Sequence, residues 1–394
     1  MIGISKLYCG TVEPSDALRY GRKSAALPGH LLQFSADKKP VVVWNCTRAC
    51  NLKCMHCYAH AGCQPASNEL SFDEGKALID DLAAFGSPVL LFSGGEPLCR
   101  EDMPDLAAYA VSKGMRAVIS TNGTLITDAV AQRLKGIGLS YVGISLDGLQ
   151  ETNDYFRGEK GAFEQALAGI RACQDVGLKV GLRYTITCHN KNDLPGIFDL
   201  IEAENIPRVC FYHMVYSGRA AAKAADDLSH AETRQTLDYI MNRTAKLHAA
   251  GRRIEVLTVD NHCDGPYIYL RLLQEGRAED AARVIQLLEM NGGNSSGHGI
   301  GCVSWEGTVY PDQFLRDTPL GNVREKTFSS IWSDPEHPVL SALRDKPSHV
   351  TGKCLTCRFL RVCGGNFRAR ALAATGDFWG VDPACYLTDE EIAS

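Results

Sequence analysis

Six short apolar runs rich in Val and Ile, at 41–46, 89–93, 117–121, 141–146, 180–187 and 208–215, alternate with stretches whose apolar residues recur at helical spacing. Runs of that length and composition read as strands buried on both faces, which is the habit of parallel sheets. Helical patterns fall between most of them, at 71–85, 103–113, 128–134 and 162–176, and Ser71 with Glu74 three residues on makes a capping box at the first of these. Alternating strand and helix calls for a parallel α/β sheet with right-handed crossovers. Such a sheet can stay open or curl toward a barrel. The polar motifs decide between the two. Cys50, Gly94-Gly95-Glu96-Pro97, Thr121-Asn122-Gly123, Asp147-Gly148, His189 and His213 each follow or close a run, and in barrels the chemistry gathers where strands end. The expected fold is therefore α/β, a partial (β/α)6 TIM-like barrel.

At 394 residues the chain exceeds what one core usually organises. We expect an N-terminal extension over 1–38, the barrel with a helical segment over 39–290, and a Cys-rich C-terminal domain over 291–394. Residues 226–290 read as helical, with 255–259 a further strand, and the turn-rich stretch 291–297 marks the boundary. A net charge of −5 argues against a general nucleic-acid binder. No apolar stretch approaches the ~18 residues of a membrane span, and the first residues lack a signal peptide's pattern, so a cytoplasmic protein is expected.

Sixteen cysteines in a reducing compartment point to metal ligands or catalytic thiols rather than disulfides. They cluster. Cys50, Cys54 and Cys57 follow the first strand closely, while Cys354, Cys357 and Cys363 sit near the C-terminus with Cys385 after them. Cys263, like Cys9, Cys99, Cys173, Cys188 and Cys210, reads as a small buried hydrophobe. Spacing alone leaves both clusters open to zinc or iron–sulfur; a zinc on the first could draw its fourth ligand from Cys46, His56, His60 or Cys63.

The run Cys50-Asn51-Leu52-Lys53-Cys54-Met55-His56-Cys57-Tyr58 resembles the CxxxCxΦC motif of the radical S-adenosylmethionine (SAM) superfamily, with His56 at the aromatic position. The resemblance implies a [4Fe–4S] cluster on Cys50, Cys54 and Cys57 whose open iron chelates SAM. Gly94, Gly95, Glu96 and Pro97 match the superfamily's GGEP motif, which implies contact with the SAM amino group: glycines admit close backbone approach and Glu96 can accept from an ammonium. Ser120, Thr121 and Asn122 stand where polar residues contact SAM, Ser145 and Asp147 near its ribose, and Arg157 where its planar fork could pair with the carboxylate. The chemistry implied is reductive cleavage of SAM and hydrogen abstraction by the 5′-deoxyadenosyl radical.

The C-terminal domain resembles the SPASM/twitch extensions of these enzymes, through Cys354-x2-Cys357-x5-Cys363 with Cys385 and through Gly307-Thr308-Val309-Tyr310-Pro311. Asp312 and Phe367 occupy two positions where a second auxiliary cluster would need cysteines, so one auxiliary [4Fe–4S] cluster is expected, with Cys302 left over. Further stretches, among them 1–21, 41–45, Phe211-Tyr212-His213 and 376–389, resemble the tetrapyrrole-modifying subgroup. That implies an iron-tetrapyrrole substrate and a reductase or ferredoxin-type electron donor. The reaction expected is removal of both acetate side chains of 12,18-didecarboxysiroheme, giving iron-coproporphyrin III in siroheme-dependent heme biosynthesis. Propionate removal, as in heme d1 biosynthesis, and peptide maturation are the alternatives within the superfamily; an iron–sulfur electron carrier or a zinc scaffold is the alternative outside it. Arg183, Arg219, Arg368 and Arg370 are candidate clamps for substrate carboxylates, and His213, His262 and His298 candidate ligands of the substrate iron.

Overall fold

The computed structural model describes residues 1–13, 16 and 39–393. Of the extension expected over 1–38, and of the resemblance at 1–21, the positions 14, 15 and those after 16 lie outside the described residues.

Among the described residues, eleven strands form one sheet: β1 (Ile2–Gly3), β2 (Val41–Thr47), β3 (Val89–Gly94), β4 (Arg116–Thr121), β5 (Tyr141–Ser145), β6 (Val180–Ile186), β7 (Arg208–His213), β8 (Glu255–Val259), β9 (Ile300–Val303), β10 (Thr308–Tyr310) and β11 (Gly321–Asn322). Their order is β1-β8-β7-β6-β5-β4-β3-β2-β9-β10-β11. From β2 to β8 every neighbour is parallel, so the six expected runs form a partial (β/α)6 barrel, with β8 continuing it. The edges were less legible. β1 pairs antiparallel with β8, and β9 pairs in parallel with β2, so the C-terminal segment extends the same sheet.

Each strand sends alternate residues outward to helices and inward to the barrel. On β2, Trp44 faces outward and meets the helix Phe72–Phe85, which begins at the expected Ser71 capping box and ends at Gly86 with φ +83°. That helix approaches closely because Gly75 has no side chain: a Cβ there would lie 2.7 Å from the Trp44 ring. It buries Leu78, Ile79 and Leu82, each contributing about 1.5–3 kcal/mol relative to exposure. No helix among the described residues is long and apolar enough to cross a membrane.

Candidate active site

The loop after β2 carries Cys50, Cys54 and Cys57, and its shape is imposed from three sides. Cys50 N donates to Gly62 O at 2.8 Å, Lys53 N to Arg157 O at 3.1 Å and Met55 N to Phe156 O at 3.0 Å. From beyond β7, Arg219 donates through Nε to Cys54 O and through Nη1 to Ala61 O, both at 2.8 Å. From β3, Gly95 N and Glu96 N donate to Thr47 O and Ala49 O. A Cβ on Gly94 or Gly95 would lie 2.4 or 2.1 Å from those same carbonyls, so only glycine fits.

Behind the cysteines lies a buried charge cluster. Arg157 is ion-paired with Asp147, and its Nη1 lies 3.6 Å from Cys54 Sγ. Asp147 also contacts His56 Nε2 at 3.0 Å and accepts from Thr185 N at 2.7 Å. Burial would raise the Asp147 carboxyl, but Arg157 and His56 outweigh it and hold it well below the usual carboxylate range. Burial pushes the Cys50 thiol up to about 12 and raises Cys54 as well; such thiols give up their protons to a metal rather than to water.

These groups open into a cavity of about 1150 Å³, mouth included, at the upper limit of the ~300–1,000 Å³ typical of ligand pockets. Cys50, Cys54, Cys57, Gly94, Gly95, Ser120, Thr121, Asn122, Ser145, Asp147 and Arg157 all line it. Glu96 and Pro97 do not line it. Glu96 is buried behind the wall, where its carboxylate accepts from Thr121 Oγ1 and Asn122 N at 2.7 Å and from Leu98 N at 3.1 Å. It braces the β4 loop, and the cavity sees the glycine backbone instead.

The four candidate clamps separate. Arg368 and Arg370 are fully buried and committed to the C-terminal segment: Arg370 pairs with Asp382 and donates to Met214 O and Asp260 O, and Arg368 donates through its Nη groups to the carbonyls of Gly365, Phe378 and Gly380, its Nε being without a partner. Arg370 ties that segment to the loops after β7 and β8, through Met214 O and Asp260 O. Arg219 is committed to the cysteine loop. Arg183 on β6 lines the cavity, its Nε has no partner, and among the described residues no carboxylate pairs with it. It lies across Gly143 of β5, where a Cβ would come within 2.3 Å of its Nε, with the guanidinium 5.9 Å from the Tyr212 ring centre. Of the three histidines, His213 lines the cavity with Nε2 2.9 Å from Asp264. His262 is buried and His298 exposed, and neither reaches this cavity.

The C-terminal cysteines surround a second cavity, of about 390 Å³. Cys354, Cys357, Cys363 and Cys385 line it as expected, and Cys263 joins them from the turn after β8. Proximity to Cys263, with the Lys353 ammonium, holds the Cys385 thiol below its ordinary value. Reading Cys263 as a mere buried hydrophobe missed this contact. The only local hint was its place at a strand-to-helix turn, where site residues gather.

Asp312 and Phe367 brace the fold. Asp312 accepts from Ser296 Oγ and from the amides of Phe314 and Leu315, while Phe367 packs with Val215, Leu315 and Ala369. Among the described residues, the one group of three or more His, Cys, Asp and Glu whose ligand atoms all lie within 4.8 Å of one another is Cys188, His189 and Asp226 on the surface. Both cysteine sets are more spread, which suits a cluster of several metal ions better than one zinc.

The radical SAM superfamily profile matches residues 44–201, and the SPASM profile, an iron–sulfur cluster-binding domain, matches residues 298–358. The chain is 63% identical to the Fe-coproporphyrin III synthase of Methanosarcina barkeri, over all of this chain and 99% of that one. It is 41% identical to the pre-heme d1 synthase of Dinoroseobacter shibae over 90% of this chain and 87% of that one. The fold matches the crystal structure of Streptococcus suis SuiB bound to its precursor peptide SuiA, with a TM-score of 0.70, 18% identity, and coverage of 89% of this chain and 76% of that one. The chain is thus an enzyme of the radical SAM superfamily, with [4Fe–4S] clusters and SAM as its cofactors, and it belongs to the SPASM-bearing family that includes these two synthases.

Proposed function

We propose that the enzyme removes the two acetate side chains of 12,18-didecarboxysiroheme to give iron-coproporphyrin III in heme biosynthesis. The observation that carries this reading is the 63% identity, end to end, with the Fe-coproporphyrin III synthase. The cavity supports it. Arg183 is a cation inside the barrel that no carboxylate among the described residues pairs with, and burying such a charge is costly unless a ligand supplies the partner. A macrocycle bearing several carboxylates is such a ligand, and a guanidinium grips carboxylates through two parallel bonds.

In this reading Cys50, Cys54 and Cys57 hold the SAM-binding cluster, and Cys354, Cys357, Cys363 and Cys385 the auxiliary one. The family profiles support dividing the chain near residue 290 into barrel and auxiliary domain. The bound cofactors supply the 5′-deoxyadenosyl radical that takes a hydrogen atom from the substrate. The chain's own residues do the rest. The Gly94 and Gly95 backbone and the side chains of Ser120, Thr121, Asn122, Ser145 and Asp147 shape the SAM subsite, and the Asp147–Arg157 pair places a fixed charge beside Cys54. Arg183 orients the macrocycle so that a ring C–H faces that subsite. Each acetate shares a saturated ring carbon with a methyl group, so its loss restores conjugation. A reductase or ferredoxin-type protein delivers the electrons. All sixteen cysteines are free, which suits a reducing cytoplasm.

Anaerobically reconstituted, reduced enzyme with SAM and 12,18-didecarboxysiroheme should form 5′-deoxyadenosine and a macrocycle lacking both acetates by mass spectrometry. Loss of propionates instead would move the enzyme to the pre-heme d1 reaction. Absence of 5′-deoxyadenosine would overturn the assignment.

A further inference from the structure

The loop after β6 and the segment after β7 carry Cys188, His189 and Asp226, which lie outside both cysteine-lined cavities. One ligand atom from each lies within 4.8 Å of the other two. Cys188 reads from the sequence as a buried hydrophobe, yet its thiol is only half-buried. We propose that these three residues form a mononuclear zinc site at the C-terminal rim of the barrel.

The donor set suits that ion. Thiolate, imidazole and carboxylate are the protein ligands zinc takes, and three of them leave the fourth tetrahedral position to water. Calcium and magnesium take oxygen ligands and would leave the thiol unused. An ion pair alone accounts for His189 Nε2 at 3.2 Å from Asp226 Oδ1, but not for the thiol beside them. The two backbones that carry the donors are already joined, since Cys188 N donates to Asp226 O at 2.9 Å. Each is also braced on its own side. Asn190 fixes the turn after β6: its Oδ1 accepts from Thr187 N at 2.7 Å, and its Nδ2 donates to Asp147 O at 2.9 Å. On the other side Asp227 accepts from Tyr216 Oη and from Leu228 N, both at 2.8 Å. Lys223 Nζ stands 3.8 Å from Asp226 Oδ2, so Oδ1 is left for the metal and the lysine offsets part of the negative charge. The side chains of His189 and Asp226 are 47% and 23% exposed, which gives the ion an entry path. Asp226 also closes the segment Gly218–Asp226, whose Arg219 clamps the cysteine loop, and a bound zinc pins the far end of that segment to the loop after β6.

The test uses the full-length enzyme with its clusters reconstituted anaerobically, dialysed against zinc ion, beside Cys188→Ser, His189→Gln and Asp226→Asn. Zinc, iron and sulfide per chain are measured, and the zinc environment is read by X-ray absorption. Wild-type enzyme should hold one zinc with a single sulfur at about 2.3 Å and nitrogen or oxygen ligands at about 2.0–2.2 Å. Each variant should bind it at least roughly 10-fold more weakly at unchanged iron and sulfide, since losing a ligand costs no less than losing a residue that only supports one. With three variants, one that fails to fold leaves the other two to decide. Unchanged zinc affinity in Cys188→Ser would overturn the proposal, because the thiol is what separates this site from a surface ion pair. A zinc shell of three or four sulfurs would overturn it too, by placing the ion at one of the two cysteine sets. So would wild-type enzyme that retains no zinc.

Discussion

The loop after β2 brings three cysteines to the mouth of a large cavity, whereas the C-terminal segment and the turn after β8 bring five around a cavity about a third that size. Their walls differ as well. The first mixes apolar side chains with the charged groups Arg157, Asp147, His56 and Arg183, and the second is lined mainly by Phe359, Leu360, Leu387 and Ile392, with Lys353, Asn366 and Asp382 beside them. Three thiols beside these charged groups leave room for a charged ligand at a fourth metal position. Five thiols already exceed the four terminal positions of a cubane cluster. The same residue type thus builds a reactive centre in one place and a closed one in the other, and the surroundings decide which.

Removing one thiol from each set breaks the comparison most severely. Cys54→Ala should abolish 5′-deoxyadenosine formation, read by chromatography, and leave the auxiliary signal in place. Cys357→Ala should lose about one cluster's iron yet still cleave SAM. Equal loss of SAM cleavage in both would show that the two sites act as one unit. A smaller effect follows from Arg183→Met. Loss of a bond to a charged group costs about 1.5–3 kcal/mol, so kcat/KM for the macrocycle should fall roughly 10- to 150-fold while uncoupled SAM cleavage persists. An unchanged kcat/KM would remove Arg183 from substrate binding.

The smallest effect concerns the seam between the halves. Arg324, in the C-terminal half, bonds Glu74 in the first turn of helix Phe72–Phe85 and holds its carboxyl down at about 2. A carboxyl lowered on folding adds stability that is present above about pH 4.5 and is lost as the pH falls toward 2. The pair is exposed, so screening limits it to about 0.2–1 kcal/mol. Arg324→Gln should lower unfolding stability by that amount at pH 7 and by less at pH 3, measured by denaturant titration. Equal losses at both pH values would mean the contact is not electrostatic.

The barrel was legible because each buried strand is a local apolar run, and the residues proposed for the SAM subsite close or follow one, apart from Arg157 at the end of the helix Gln150–Arg157. Local patterning is visible in a sequence; long-range docking is not. Arg370 looked like a free cation until Asp382, Met214 and Asp260 met it, and Arg368 until the carbonyls of Gly365, Phe378 and Gly380 did. Glu96 looked like a ligand acceptor until the β4 loop claimed its oxygens. Cys263 stands 91 positions before Cys354, and no spacing rule joins a lone cysteine to a motif that far away. Arg183 is told from Arg368, whose Nε is also unpartnered, by its place in the cavity wall.

The clamp of Arg219 on the cysteine loop has a consequence for the order of assembly. Cys54 and Arg219 lie 165 positions apart, and the same segment reaches the loop again through Arg219 N to Cys57 O at 3.0 Å. While the chain is emerging from the ribosome, the three cysteines exist long before the residues that shape their loop. Maturation machinery that delivers iron and sulfide to the nascent chain would meet an unformed site until β7 and the segment after it have docked. On the proposed assignment, loading belongs after synthesis of the barrel, and a chain truncated before residue 219 would carry Cys50, Cys54 and Cys57 without the frame that presents them.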